Sequence, residues 1–526
     1  MAKLHPDLVG KEFWYEDITL VPTRLPDFER DEVVLTTYFT KRVKLKTPFV
    51  SSPMDTVTGS DMAILMALMG GIGVIHYNHR TIYEQIKEAE KVKRFEAAFV
   101  IDPIVLGPTN TVGNVYKIAK EYGFYSVPIT QDGTLKTKMI GFVTHRDVRY
   151  VEDMSIPLEK IMTPKERLIT AHRRDTLDKN DVKAANKIIR EYNLDTLPIV
   201  DDDFHVVALV TDSDIQKDEK YTLATKDDNK QLKIFIAVES RLSPAKERIG
   251  KAYDAGVDGV VVDASIVFKE QIEIAKYCKQ NFPRLDVVLG NVDSAEMVRS
   301  IITEAPEYCD ALRVGIGPGY ACKTQQELGT GRAQASAVWD CAQEAKRLEK
   351  GYGFMPIIAD GGIRRLDLVD RKLSEEEMRE QLKQLYELGE VEKLSEITKP
   401  GDITKALALG GDTVMMGSLL ASLDESPGEK YFDYEEDRMV KKYRGMGSLE
   451  AMEERAAIRY GYGIEGGDMI RVEEGIVTKV PYRGSGYDFI PQLIAGVKQS
   501  MQKLGFRSIP ELQEYADIRP MPKREK

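Results

Sequence analysis

Asp258-Gly259-Val260-Val261-Val262-Asp263 is a short apolar run bounded by acids and preceded by a helix-like stretch, Ser243 to Ala255. Seven more runs share its character: Pro48-Phe49-Val50-Ser51-Ser52, Gly71-Ile72-Gly73-Val74-Ile75, Leu232-Lys233-Ile234-Phe235-Ile236-Ala237-Val238, Asp286-Val287-Val288-Leu289-Gly290-Asn291, Ala311-Leu312-Arg313-Val314-Gly315, Pro356-Ile357-Ile358-Ala359-Asp360 and Thr413-Val414-Met415-Met416-Gly417. Strands this apolar, alternating with helical stretches, belong to a parallel sheet buried on both faces. Eight of them predict an α/β fold, a closed (β/α)8 TIM barrel, with an open doubly wound sheet as the alternative. Most of the runs end in Gly, Asn, Asp or Ser, and a barrel gathers such strand ends at the rim where its active sites are built.

Between the second and third runs the chain changes character. Ser126-Val127-Pro128-Ile129-Thr130 followed by Gly141-Phe142-Val143-Thr144-His145-Arg146-Asp147-Val148 returns as Thr196-Leu197-Pro198-Ile199-Val200 followed by Ala208-Leu209-Val210-Thr211-Asp212-Ser213-Asp214-Ile215. Two copies of a strand-turn-strand-helix unit predict a pseudo-twofold module. The repeat resembles a tandem pair of CBS domains, which implies a regulatory nucleotide such as ATP or GTP, with Asp147 and Asp214 facing riboses. The plainer reading is that each aspartate caps the helix it opens. The expected layout is thus 1–94 barrel, 95–231 module and 232–526 barrel. A charged helical insertion is expected at 364–400 and a mobile flap over about 430–486, where glycines crowd after the last strand.

The chain has 526 residues, more than one ordinary core holds, and a net charge of −11 that gives no general attraction for nucleic acid. Its four cysteines, Cys278, Cys309, Cys322 and Cys341, form no CxxC pair, which argues against zinc or a disulfide framework. No apolar stretch long enough to span a membrane occurs, and the expected location is the cytoplasm.

Cys322 stands out because it lies in a glycine-studded loop, Arg313-Val314-Gly315-Ile316-Gly317-Pro318-Gly319-Tyr320-Ala321-Cys322-Lys323-Thr324, directly after a strand. Such a loop can present a thiol as a nucleophile, although most free cysteines are simply small buried residues. The glycines of Asp360-Gly361-Gly362 and Met416-Gly417-Ser418, after the last two strands, fit the phosphate site that barrels build there, and Asp360 could grip ribose hydroxyls. Together these pieces favour a nucleoside monophosphate.

Over nearly its whole length the chain is similar to the IMP dehydrogenase family. The resemblance rests on Ser51-Ser52-Pro53-Met54-Asp55, Gly70-Gly71-Ile72-Gly73, Gly290-Asn291-Val292, the Cys322 loop, Ala359-Asp360-Gly361-Gly362 and Tyr443-Arg444-Gly445-Met446-Gly447-Ser448. It implies oxidation of IMP to XMP with NAD in guanine nucleotide biosynthesis, through a thioimidate on Cys322. In that reading Ser52, Met54, Tyr320, Asp360, Gly361, Gly362, Gly417, Ser418, Tyr443, Gly445, Met446 and Gly447 hold the substrate. Arg459 and Tyr460 match a flap pair that activates water, and Thr324 and Glu474 match an auxiliary proton relay. Asp263, Ser265, Asn291, Gly315 and Gly317 face the cofactor, and the carbonyls of Gly317, Gly319 and Cys322 hold a potassium ion. A homotetramer, or an octamer through the CBS modules, is also implied.

Three features depart from the family. Tyr320 stands where a phosphate-binding serine is usual, the segment Ala264-Ser265-Ile266-Val267-Phe268 lacks the usual glycine and polar residues, and the insertion at 364–400 interrupts the approach to the phosphate site. The rival activities are GMP reductase, which deaminates GMP with NADPH, and a non-catalytic nucleotide sensor. The flap pair argues for the dehydrogenase.

Overall fold

A computed structural model describes residues 2–95, 100–101, 103–179, 182–211, 221–363, 400–454 and 472–521. It falls into two units, Met1–Val92 with Leu223–Thr225 and Lys233–Lys526, and Lys93–Thr222 with Lys226–Leu232.

In the first unit eight parallel strands close on themselves in chain order. They are β1 (Phe49–Ser51), β2 (Ile72–Ile75), β3 (Phe235–Val238), β4 (Gly259–Asp263), β5 (Asp286–Val292), β6 (Ala311–Val314), β7 (Ile357–Asp360) and β8 (Thr413–Met416). Val414 beside Phe49 makes the closing pair. The predicted TIM barrel is therefore the observed fold. Helices α1 (Ser60–Leu68), α2 (Ile82–Arg94), α3 (Leu242–Asp254), α4 (Lys269–Asn281), α5 (Ala295–Glu304), α6 (Gln334–Tyr352) and α7 (Pro400–Ala408) come after the first seven strands in turn. After β8 come the single turn α8 (Ser418–Ala421), the sheet strands β9 (Lys430–Asp433) and β10 (Arg438–Arg444), α9 (Leu449–Glu454), β11 (Val477–Pro481) and α10 (Gly486–Leu504). β9, β10 and β11 form an antiparallel sheet with β10 central.

The strands are mainly apolar because both faces are covered: every residue of β2 to β6 is buried, the polar Asp263, Asp286, Asn291 and Arg313 among them. Val50, Val74, Phe235, Val261, Val288, Ile358 and Met415 share one core cluster that fills the barrel. Phe235 is large enough that Gly259 beside it must lack a side chain, since a Cβ there would lie 2.2 Å from the ring. A hairpin, Thr37–Tyr38 with Lys44–Leu45, sets Phe39 edge-on against Phe235 at 4.9 Å and plugs the mouth where β3 begins. Chemistry is left to the opposite mouth, where the polar strand ends stand.

The second unit has two lobes. In one, Val127–Thr130, Met139–Val143 and Thr163–Pro164 form a sheet with the helix Val112–Tyr122. In the other, Ala171–His172, Thr196–Val200, Val206–Thr211 and Val100–Ile101 form a sheet with the helix Val182–Tyr192. Equivalent positions of the two repeats meet: Thr196 Oγ1 donates to Ser126 Oγ at 3.0 Å. Met139 and Phe142 of one copy pack with Val200, Val206 and Leu209 of the other. This is the inserted tandem CBS pair, a duplicated unit closed by its own interface.

Candidate active site

The polar ends of β1, β5, β7 and β8 converge with the loop after β6 on one cleft, lined by Ser52, Met54, Asn291, Cys322, Asp360 and Ser418. Gly315, Gly317, Gly319, Gly361, Gly362 and Gly417 supply much of its backbone wall, and Tyr320, Tyr443, Gly445, Met446, Gly447 and Glu474 complete it. These residues span more than 400 positions of sequence, yet the barrel rim brings them to one place.

Cys322 alone among the four cysteines is half-exposed; the other three are buried. Burial pushes the thiols of Cys278 and Cys309 up to about 12 and that of Cys341 up as well, so none of these is suited to form a thiolate. Cys322 Sγ lies 3.2 Å from Thr324 Oγ1, and that hydroxyl donates to Glu474 Oε2 at 2.8 Å. A hydroxyl has one proton, and Thr324 gives it to the carboxylate. In the contact with Cys322 the thiol is therefore the donor, and the chain Sγ–H, Oγ1–H, Oε2 runs one way, from sulfur to carboxylate.

Glu474 is 150 residues from Thr324 in sequence, and local backbone bonds hold it there. Lys323 N donates to Glu474 O at 2.7 Å, Glu474 N to Gly447 O at 3.0 Å, and Ile476 N to Ala321 O at 3.0 Å. So close a seam needs glycine, because a Cβ on Gly445 would lie 2.4 Å from Ala321 O. Gly317 has φ +80°, a left-handed conformation that lets the loop turn back toward Cys322.

Asp360 ends β7 and is held from three sides. Asn291 Nδ2 donates to its Oδ2 at 3.1 Å, Arg313 Nε stands 3.6 Å from the same oxygen, and Gln334 Nε2 donates to its backbone O at 3.1 Å. Arg313 is fully buried on β6; it donates to Asn291 Oδ1 at 2.5 Å and pairs with the Asp263 carboxylate. Asp263 is thus committed to an internal ion pair, and Ser265 beyond it is half-buried; neither lines the cleft. The sequence signal for Arg313 is a charged residue inside an otherwise apolar strand.

A second ion pair ties two substrate-side segments together. Arg444 Nη2 lies 2.5 Å from Asp55 Oδ2, joining the residue after Met54 to the residue after Tyr443. The Tyr443 hydroxyl reaches Met54 Sδ at 3.6 Å; burial, then the nearby Asp360 carboxylate, raises its pKa and keeps it protonated. The Tyr320 ring is half-exposed and stacks on Tyr443 with centroids 6.4 Å apart, so the aromatic replacement for the expected serine stands at the cleft wall.

Arg459, Tyr460, Asp214 and all of the 364–400 insertion except Pro400 lie outside the described residues. Asp147 lies in the other unit, where its Oδ2 accepts from Thr144 N at 2.7 Å and Thr144 Oγ1 at 2.8 Å, a helix-capping arrangement. Among the described residues no cluster of three or more His, Cys, Asp or Glu could hold a metal ion, and no helix is long and apolar enough to cross a membrane.

Residues 12–374 and 395–523 match the IMP dehydrogenase / GMP reductase domain model, with a gap that falls within the charged insertion. Inosine-5'-monophosphate dehydrogenase of Schizosaccharomyces pombe is 38% identical over 510 residues, spanning 96% of this chain and 87% of that protein. The Aquifex aeolicus enzyme of the same name is 38% identical over 505 residues, spanning 95% and 91%. Among solved structures, a GMP reductase variant from Trypanosoma brucei in complex with guanosine 5'-monophosphate superposes with a TM-score of 0.80 at 27% identity, covering 99% of this chain and 98% of its own.

Proposed function

The chain belongs to the IMP dehydrogenase / GMP reductase family, and from that premise we infer that its cleft oxidises IMP to XMP with NAD, in guanine nucleotide biosynthesis. The observation that carries the chemistry is the one-way hydrogen-bond chain from Cys322 through Thr324 to Glu474.

Cys322 adds through sulfur to C2 of the hypoxanthine, and its thiol proton leaves along that chain. Addition makes C2 tetrahedral, so the C2–H bond can break with its electron pair; NAD, when bound, would supply the hydride acceptor. Asn291, Gly315 and Gly317 line the cleft and serve the nicotinamide side, and Asp263 fixes Arg313. Water then attacks the C2 of the thioimidate, the C–S bond breaks, XMP departs and the thiol is restored. Arg459 and Tyr460 activate that water, with Thr324 and Glu474 as the auxiliary route.

Asp360 binds the ribose hydroxyls, and Asn291 and Arg313 keep its carboxylate aimed. Ser52, Ser418, Tyr443 and the backbone of Gly361, Gly362 and Gly417 take the phosphate and Met54 packs beside it, with the Tyr320 phenol in place of a serine hydroxyl. Gly445, Met446 and Gly447 meet the base. The carbonyls of Gly317, Gly319 and Cys322 are hard, uncharged donors, which suits potassium better than a divalent ion, and such an ion would order the cysteine loop. The CBS pair takes a purine nucleotide, and the assembly is a homotetramer or an octamer.

Reductive deamination of GMP has one observation in its favour, since the superposing structure is a GMP reductase at 27% identity; the dehydrogenases are nearer at 38%. One assay separates the two: NADH forming with IMP, or NADPH consumed with GMP. Cys322→Ser is expected to lower turnover by on the order of 10³-fold or more. Retained turnover in that variant would end the covalent reading.

A further inference from the structure

We propose that Lys441 is a positioning residue for the substrate phosphate, its ammonium fixing the far end of the turn that begins at Gly417 and Ser418. The proposal rests on the reading that this turn holds the phosphate of IMP.

α8 is a single turn of four residues, too short to hold its shape by its own hydrogen bonds. Two supports brace the segment that carries it: the backbone bonds from Arg483 N to Ser422 O and from Asp424 N to Gly484 O, both 2.9 Å, and the strand β10. Alternate residues of a strand point the same way, so Lys441 and Tyr443 act together. Tyr443 grips the start of α8, since a Cβ added to Gly417 would stand 2.8 Å from its hydroxyl. Lys441 grips the segment just beyond α8: its Nζ donates to Leu423 O at 2.6 Å, Ser426 O at 2.6 Å and, more weakly, Asp424 O at 3.5 Å.

An ammonium carries three protons, and here three main-chain carbonyls face them. Lys441 is 3% exposed, so each acceptor matters, because a buried charge left partly unpaired is costly. The segment is also braced internally: Ser426 Oγ donates to Ala421 O at 2.7 Å and Ser422 Oγ to Leu419 O at 2.7 Å. Those bonds shape the turn but do not tie it to β10. Lys441 does, and because β10 also carries Tyr443, it links the segment that follows Ser418 to the strand of the other phosphate-side group. A guanidinium could not replace it, because a planar fork cannot address carbonyls that converge on a single point.

The test is Lys441→Ala in the full chain with potassium held constant. KM for IMP should rise about tenfold or more, while KM for NAD and kcat change by less than about threefold, because only the phosphate end of the site is disturbed. Millimolar methylammonium, which fits the vacated carbonyl trio, should lower KM for IMP again by about threefold or more; tetramethylammonium, which has no proton to donate, should not. KM for IMP within about twofold of the parent, parallel loss in all three constants, or absence of methylammonium rescue each overturns the proposal. If the alanine variant does not fold, Lys441→Met, which keeps the apolar stem, is read by the same split of constants, and its failure to fold would assign Lys441 to architecture alone. A parental chain that forms no NADH from IMP refutes the function proposed above; a parental chain that does, with KM for IMP unmoved in the variant, refutes only the role of Lys441.

Discussion

Thr324→Val tests the proton route directly, because it removes one hydroxyl and keeps the shape of the side chain. The hydroxyl is buried between Cys322 Sγ at 3.2 Å and Glu474 Oε2 at 2.8 Å, and Glu474 is itself only 6% exposed. A hydrogen bond to a charged group contributes about 1.5–3 kcal/mol. If that is lost where the proton moves, the rate falls by about 10- to about 150-fold. Glu474→Gln should cost a comparable amount, since the acceptor remains but its charge does not. The decisive variant is the double one. Two links of one relay cannot be lost twice, so Thr324→Val with Glu474→Gln should be no slower than the worse single variant, a coupling of about 1.5–3 kcal/mol. Rapid mixing with IMP and NAD reads both stages, as a burst of NADH and then the steady rate of XMP release. Additive losses in the double variant would mean that Thr324 and Glu474 act separately, and the relay would have to be abandoned.

Arg313→Met should cost about 3–5 kcal/mol of stability, because it strands the buried carboxylate of Asp263; the midpoint of urea unfolding measures it. The same variant should raise KM for IMP, since Asp360 loses the neighbour that aims it. Elsewhere in the barrel, burial pushes the carboxyl of Asp412, just ahead of β8, up to about 7, against the opposing bond from Ile357 N. A carboxyl whose folded pKa is raised stabilises the fold at low pH, and that contribution is lost as pH rises from about 4 toward about 7. Asp412→Asn should therefore flatten the pH dependence of the unfolding midpoint in that window and raise it above pH 7; an unchanged slope would contradict the assignment.

The barrel was legible because parallel strands covered on both faces are mainly apolar, and all eight runs, such as Asp258 to Asp263, carry that mark. Cys322 was legible for a related reason: a thiol in a glycine-rich loop straight after a strand has few purely structural uses. Pairings made by the fold were not legible. Arg313 reads as a lone charge until β4, β5 and β7 bring Asp263, Asn291 and Asp360 around it. Glu474 has no local signature, and only the family resemblance linked it to Thr324. Lys441 carries no signature either, because backbone carbonyls leave no trace in a sequence. Asp147 had two readings from sequence, and its bonds to Thr144 supply the capping one with a geometry.

The two lobes of the CBS pair are interlocked in a way that bears on how such a module can be exchanged between proteins. Val100–Ile101, the strand that precedes the first copy, pairs with Ala208 and Leu209 of the second, and Ser126 meets Thr196 at equivalent positions. The second copy's sheet is completed by that earlier strand, and each copy covers apolar residues of the other. A cut between the repeats would leave two fragments with open edges and exposed apolar faces, whereas Lys93–Thr222 with Lys226–Leu232 is a finished body, provided that Leu223–Thr225 stays with the barrel. Recombination and engineering alike should therefore tolerate this module only as a whole cassette, never as half of one.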